Sequence, residues 1–237
     1  MEYDDPIEYE KVLAKGRKYF LCEAGLSPRQ LKYDMDYVEG IIQPEQEAAY
    51  RACKSFVEEY FKSDNTDGLI LIGTVGCGKT MLASYIIHYL TFCGYSEKTL
   101  EVFADDRPRE YQEELSSFLY NNRSNYLILN TSYFLSGLRP HTGIDCQYTY
   151  NGIMYHVKET DVLLLDDLGA EKSTEWTQAI LFEIIDYRYN NNRPIIITTN
   201  CLPEELKEKI GERSVDRLRE MCKLVTINHS SYRKTAE

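Results

Sequence analysis

Leu69-Ile70-Leu71-Ile72-Gly73-Thr74-Val75-Gly76-Cys77-Gly78-Lys79-Thr80 is the stretch on which the fold turns. Four apolar residues in a row read as a strand buried on both faces. The next eight match G-x-x-x-x-G-K-[ST]. Leu82, Ala83, Ile86, Ile87 and Leu90 then recur at helical spacing. Strand, glycine-rich loop and helix in this order form a phosphate cradle. Glycines let backbone N–H groups curl around the anion, and the helix offers its positive end. The loop Gly73, Thr74, Val75, Gly76, Cys77, Gly78, Lys79 and Thr80 is therefore predicted to hold a nucleotide. Lys79 reaches the β and γ phosphates and Thr80 places a hydroxyl on Mg²⁺. Cys77 reads as a small filler.

Working outward, the apolar runs Tyr126–Leu129, Val162–Leu165, Ile195–Thr198 and Leu224–Ile227 repeat the strand pattern. Trp176, Ile180, Leu181, Ile184 and Ile185 place a long helix between the third and fourth strands. Residues 6–24 and 44–62 predict two helices ahead of the loop, separated by Gly25-Leu26-Ser27-Pro28. Buried strands alternating with helices predict an α/β fold with a parallel sheet covered on both sides. Asn151-Gly152, between short runs containing Tyr148, Tyr150, Ile153 and Tyr155, predicts a hairpin over 146–157. Its tyrosines would cover the sheet, contact a neighbour or stack on bases.

The third strand ends in Asp166-Asp167. An apolar run closing on acids is the Walker B pattern. Asp166 is predicted to hold Mg²⁺, and Asp167 either orients the attacking water or serves as a turn or helix-capping acid. Glu171 is a further candidate. The fourth strand ends in Thr198-Thr199-Asn200. Strand carboxyl ends face the ligand crevice in a parallel sheet. Asn200 thus either bonds the water or γ-phosphate, or caps the helix that starts near Pro203. Asp166-Asp167-Leu168-Gly169 also fits the D-x-x-G of GTPases, but no N-K-x-D base-reading motif occurs, so ATP is expected.

The 237 residues carry 27 Lys+Arg against 38 Asp+Glu, a net charge of −11, with 43% hydrophobic and 27% charged residues. Such a composition excludes a largely disordered chain. The acidic balance argues against coating duplex DNA by charge alone. No apolar run approaches the roughly 20 residues that span a bilayer, and the acidic N-terminus is no signal peptide. The seven cysteines are widely spaced and form no CxxC pair, so neither a disulfide framework nor a zinc site is expected. A reduced, cytoplasmic location and no membrane partner follow.

Together these motifs resemble AAA+ ATPases, and more closely the DnaC-type helicase-loader group, which shares its core with IstB-like ATP-binding proteins. Val162–Lys172 with Trp176, the strand Ile195–Asn200 (similar to sensor 1), Gly211–Leu218 (similar to the arginine-finger helix) and Ser231-Tyr232-Arg233 carry the likeness. It spans roughly residues 25–237. The resemblance implies a P-loop NTPase of the AAA+ type, with a five-stranded parallel sheet between helices and no C-terminal helical lid. Residues 1–40 would form a short helical extension and 41–237 the ATPase domain, with an insertion at about 95–125. It also implies that Arg217, with Arg213 as the alternative, reaches the γ-phosphate held by a neighbouring chain, and that Arg233 acts like sensor 2. The implied activity is ATP hydrolysis with Mg²⁺, by a nucleotide-dependent homo-oligomer that loads a replicative helicase onto single-stranded DNA. The rival expectations are an IstB-type transposition helper on duplex DNA and an ATP-gated scaffold with little turnover.

Overall fold

All five apolar runs become strands of one parallel sheet. The computed structural model describes residues 6–63, 67–95, 125–138 and 146–228. The strands are β1 (Gly68–Gly73), β2 (Tyr126–Asn130), β3 (Val162–Leu168), β4 (Ile195–Thr199) and β5 (Cys222–Ile227), in the order β2-β3-β4-β1-β5. Every pairing is parallel. The helices are α1 (Pro6–Glu23), α2 (Met35–Ile41), α3 (Glu47–Tyr60), α4 (Lys79–Gly94), α5 (Thr131–Gly137), α6 (Cys146–Glu159), α7 (Glu175–Asn190), α8 (Pro203–Ile210) and α9 (Glu212–Met221).

Successive residues of a strand face opposite sides. Leu69, Leu71, Leu164 and Ile196 accordingly pack with Phe56 of α3 and Leu82 and Ile86 of α4. Ile70, Leu163, Leu165, Ile195 and Ile197 pack on the other face with Ile180, Leu181 and Ile184 of α7 and Leu218 of α9. Because helices cover both faces, an unbroken apolar run is what each inner strand requires.

The segment before the loop is woven into this body. Phe20 of α1 stacks on Tyr95 with ring centroids 3.8 Å apart, and Leu21, Ala24 and Leu26 join the core cluster of α3 and α4. The carbonyl of Ala24 accepts a hydrogen bond from the Ile128 amide at 2.7 Å, so the chain after α1 touches the outer strand β2. Gly25 permits the approach. Its φ is +92°, and a Cβ there would lie 2.6 Å from the Ile128 carbonyl oxygen. The helix expected at 44–62 begins as a 3₁₀ turn over Pro44–Gln46 and continues as α3. Helix α2, which the sequence pattern does not reveal, is capped by Asp34 Oδ1 accepting from the Tyr37 amide at 2.9 Å.

The hairpin expected at 146–157 is instead helix α6. Tyr150, Met154 and Val157, at i, i+4 and i+7, turn one face toward α7, while Asn151 and Gly152 lie on the exposed side. Arg188 of α7 completes the helix. Fully buried, it donates to the carbonyls of Val157, Lys158, Thr160, Asp161 and Pro194 at 2.7–3.3 Å. Two of these, Val157 and Lys158, are among the carbonyls a helix end leaves without intrahelical partners. An Asn-Gly dipeptide therefore yields to tertiary contacts made elsewhere. The expected insertion falls mostly on 96–124, and Arg233 with the Ser231–Arg233 motif near the end; both lie outside the described residues. Among the described residues no helix is long and apolar enough to cross a membrane.

Candidate nucleotide site

The loop after β1 opens into a cleft of about 1250 Å³ at the carboxyl edge of the sheet, lined among others by Gly76, Lys79, Thr80, Asp166, Asp167 and Asn200. Gly76 and Gly78 have φ of +83° and +104°, the left-handed turns that curl the backbone. A Cβ at Gly78 would sit 2.3 Å from Gln46 Nε2. Gln46 itself is buried and donates to the Cys77 carbonyl at 2.7 Å, tying the loop to the turn before α3. Cys77 is buried as the predicted filler, while Val75 stands at the exposed crest of the loop.

Lys79 Nζ donates to the carbonyls of Gly73 at 2.8 Å and Thr74 at 2.7 Å, and to Asn200 Oδ1 at 2.7 Å. Asn200 Nδ2 in turn donates to Asp167 Oδ1 at 2.7 Å. One chain of contacts thus joins the loop after β1 to the ends of β3 and β4. Asn200 does not cap α8: the residue before that helix is Leu202, whose amide donates to Glu205 Oε2. Nor does Asp167 cap a helix, since α7 is capped by Thr174.

Asp166 Oδ1 accepts from Thr80 Oγ1 at 2.9 Å and from Thr198 Oγ1 at 2.7 Å. Burial pushes the Asp166 carboxyl above the usual carboxylate range, and these two hydrogen bonds pull it back. The hydroxyl–carboxylate pair of Thr80 and Asp166 is a hard-oxygen donor set of the kind that holds Mg²⁺, which keeps several waters and needs few protein ligands. Among the described residues no cluster of three or more His, Cys, Asp or Glu forms an all-protein metal cage.

Glu171 does not join this cleft. Its Oε2 accepts from the Gly169 amide at 2.9 Å, and it faces a separate hollow of about 280 Å³ beside Trp176 and Ser132. Arg217 also lies outside the cleft of its own chain. Its Nε pairs with Asp186 at 2.6 Å and its guanidinium covers the ring of Phe182 at 4.8 Å. Arg213, one turn earlier on α9, is exposed. Two residues that the sequence reading passed over, Gln46 and Thr198, brace the site. Thr198 had a signal, a hydroxyl inside an apolar strand; Gln46, 31 positions from the Cys77 carbonyl it holds, had none.

The IstB-like ATP binding protein family model matches residues 144–237. The replicative helicase loader DnaC of Buchnera aphidicola (subsp. Schizaphis graminum) is 24% identical over 190 residues, 80% of this chain and 65% of that protein. The replicative helicase loader DnaI of Bacillus subtilis is 25% identical over 168 residues, 70% of this chain and 44% of that protein. The crystal structure of a DnaI superposes with a TM-score of 0.64 at 23% identity, covering 86% of this chain and 95% of that one. The chain resembles the DnaC-type AAA+ loaders. The five-stranded parallel α/β body is that of the P-loop AAA+ fold. The chain spans less than two thirds of the length of these curated relatives. Walker A and Walker B, joined through Lys79 and Asn200, therefore sit in a DnaC-like body.

Proposed function

We propose that this chain binds and hydrolyses ATP and loads a replicative helicase onto single-stranded DNA. The observation that carries the reading is the contact chain Lys79–Asn200–Asp167 set beside Thr80–Asp166, which gathers the ends of three strands at one phosphate loop. In this reading the loop from Gly73 to Thr80 binds the phosphates, and Thr80 with Asp166 holds Mg²⁺. The metal supplies neutralising charge when bound. Asp167, oriented by Asn200, places the attacking water. Residues 41–237 form the ATPase domain and residues 1–40 its helical extension. Arg217, or Arg213 beside it, completes a neighbouring copy's site, and Arg233 reads the nucleotide as sensor 2 does. The whole works in the cytoplasm.

The relatives named as helicase loaders support the partner. The test is co-sedimentation of this chain with the replicative helicase of its own source, on single-stranded DNA, with and without ATP. A defined complex that forms with ATP and is lost in Lys79→Ala is expected. Two species that stay apart in every condition sink the loader assignment. The IstB-like match over 144–237 favours one second reading, a transposition helper on duplex DNA. Tight, steeply salt-dependent duplex binding without helicase capture would select it.

A further inference from the structure

Strands β3 and β4 lose register where the acids lie. Leu165 pairs with Ile197 and Leu168 with Thr199, so Asp166 and Asp167 together stand opposite the single residue Thr198. This is a bulge, two residues against one, and bulges re-aim side chains at the price of an irregular ladder. Asp167 takes φ +59°, a left-handed conformation that costs a non-glycine residue energy. One side chain answers both irregularities. The Thr198 hydroxyl donates to Asp166 Oδ1 at 2.7 Å and accepts from the Asp167 amide at 2.8 Å. Thr198 is 1% exposed, so both hydrogen bonds are made away from bulk solvent. Thr80 approaches the same Asp166 oxygen at 2.9 Å.

We infer that Thr198 is a positioning residue for the two acids: its hydroxyl staples the β3 bulge, aiming the Asp166 carboxylate at the Mg²⁺ position and holding the Asp167 backbone in the turn that presents its side chain to Asn200. The inference rests on the nucleotide reading above. It assigns no substrate contact to Thr198. Its donor and acceptor are both used within the protein, and the side chain acts only through Asp166 and Asp167. Neighbouring Thr199 differs, since its hydroxyl donates to the Leu168 carbonyl beyond the bulge.

Thr198→Val keeps the β-branched shape that suits a buried strand and removes both hydrogen bonds; Thr198→Ser keeps the hydroxyl. Binding of a non-hydrolysable ATP analogue is titrated at stepped Mg²⁺ concentrations and in EDTA, and steady-state hydrolysis is measured alongside. In the valine variant the Mg²⁺ concentration at half-maximal enhancement should rise about 10- to 100-fold, the loss typical of removing a partner of a metal ligand. Its kcat should fall with little change in KM, while binding in EDTA stays at the parent value. The serine variant should track the parent. Should the valine variant melt far below the parent, Thr198→Ala repeats the comparison. A valine or alanine variant with the parent's Mg²⁺ midpoint and kcat overturns the inference, as does a serine variant that loses as much as valine. A parent chain that binds no nucleotide overturns the underlying reading instead, and this inference with it.

Discussion

Lys79 has three donors and meets three oxygen acceptors, the Gly73 and Thr74 carbonyls and the Asn200 amide oxygen, with Cys77 Sγ at 3.8 Å beside them. A buried ammonium is costly unless so surrounded. His88, on the next turns of the same helix, shows the converse case. It is buried, and its Nε2 lies 3.1 Å from the Gln30 carbonyl, which can only accept, so Nε2 carries the proton of a neutral ring. Burial holds its pKa below the usual 6.5, opposed by that carbonyl and by Asp34. The unfolded chain therefore takes up the proton first. Stability is present above about pH 6.5 and falls as pH drops through that value toward the folded pKa. Melting at pH 7.5 and 5.5 should show an acid loss in the parent that His88→Gln reduces. Equal acid sensitivity in the two would remove His88 as the cause.

Helix α6 and its anchor belong together. The Arg188 guanidinium fills the space under the helix end, and burial lowers its pKa to about 9. Five carbonyls offset the loss of water around it. Gly152 sits on the exposed side of α6 with open space where a Cβ would go. Gly152→Ala should then stabilise the protein by roughly 0.5–1 kcal/mol, since glycine is a poor helix residue. A hairpin turn at Asn151-Gly152 needs φ > 0 and predicts the opposite sign. Chemical denaturation of the two chains distinguishes them: a lower midpoint for the alanine variant contradicts the helix.

The molecule as a whole places its cleft at one end of the sheet and its arginine helix α9 elsewhere. Arg217, paired with Asp186 and packed on Phe182 and Tyr189, serves no phosphate in its own cleft. To act on a neighbour it must leave both the largely buried pair with Asp186 and the rings of Phe182 and Tyr189. Hydrolysis per subunit should therefore rise with protein concentration. Arg217→Ala should retain ATP binding yet lose about 10³-fold or more in rate, the scale of an arginine finger. If Arg217→Ala keeps the parent rate and Arg213→Ala loses it, the role passes to Arg213. Parent rates in both variants, or a rate per subunit independent of concentration, end the case for a shared site.

What was legible in the chain was local and repetitive. Five apolar runs, the glycine-rich loop and the acids closing the third run are patterns in which each residue's neighbours in sequence are also its physical context. Burial of both sheet faces requires unbroken apolar runs, so the strands could be read in advance, and the glycine-rich loop with Lys79, Thr80 and Asp166 could be singled out as candidates that the fold then gathers at one cleft. Tertiary structure decided the rest. It turned Asn151-Gly152 into helix because Met154 and Val157 found α7 and Arg188 found the carbonyls. It removed the helix-capping role for Asn200, whose side chain lies between Asp167 and Lys79, 121 positions away at 2.7 Å. It sent Glu171 to another hollow, and it made Thr198 and Gln46 part of the site. Local pattern records which residues want burial or a turn. Which distant donor meets which acceptor depends on the packed strands, and no spacing along the chain encodes it.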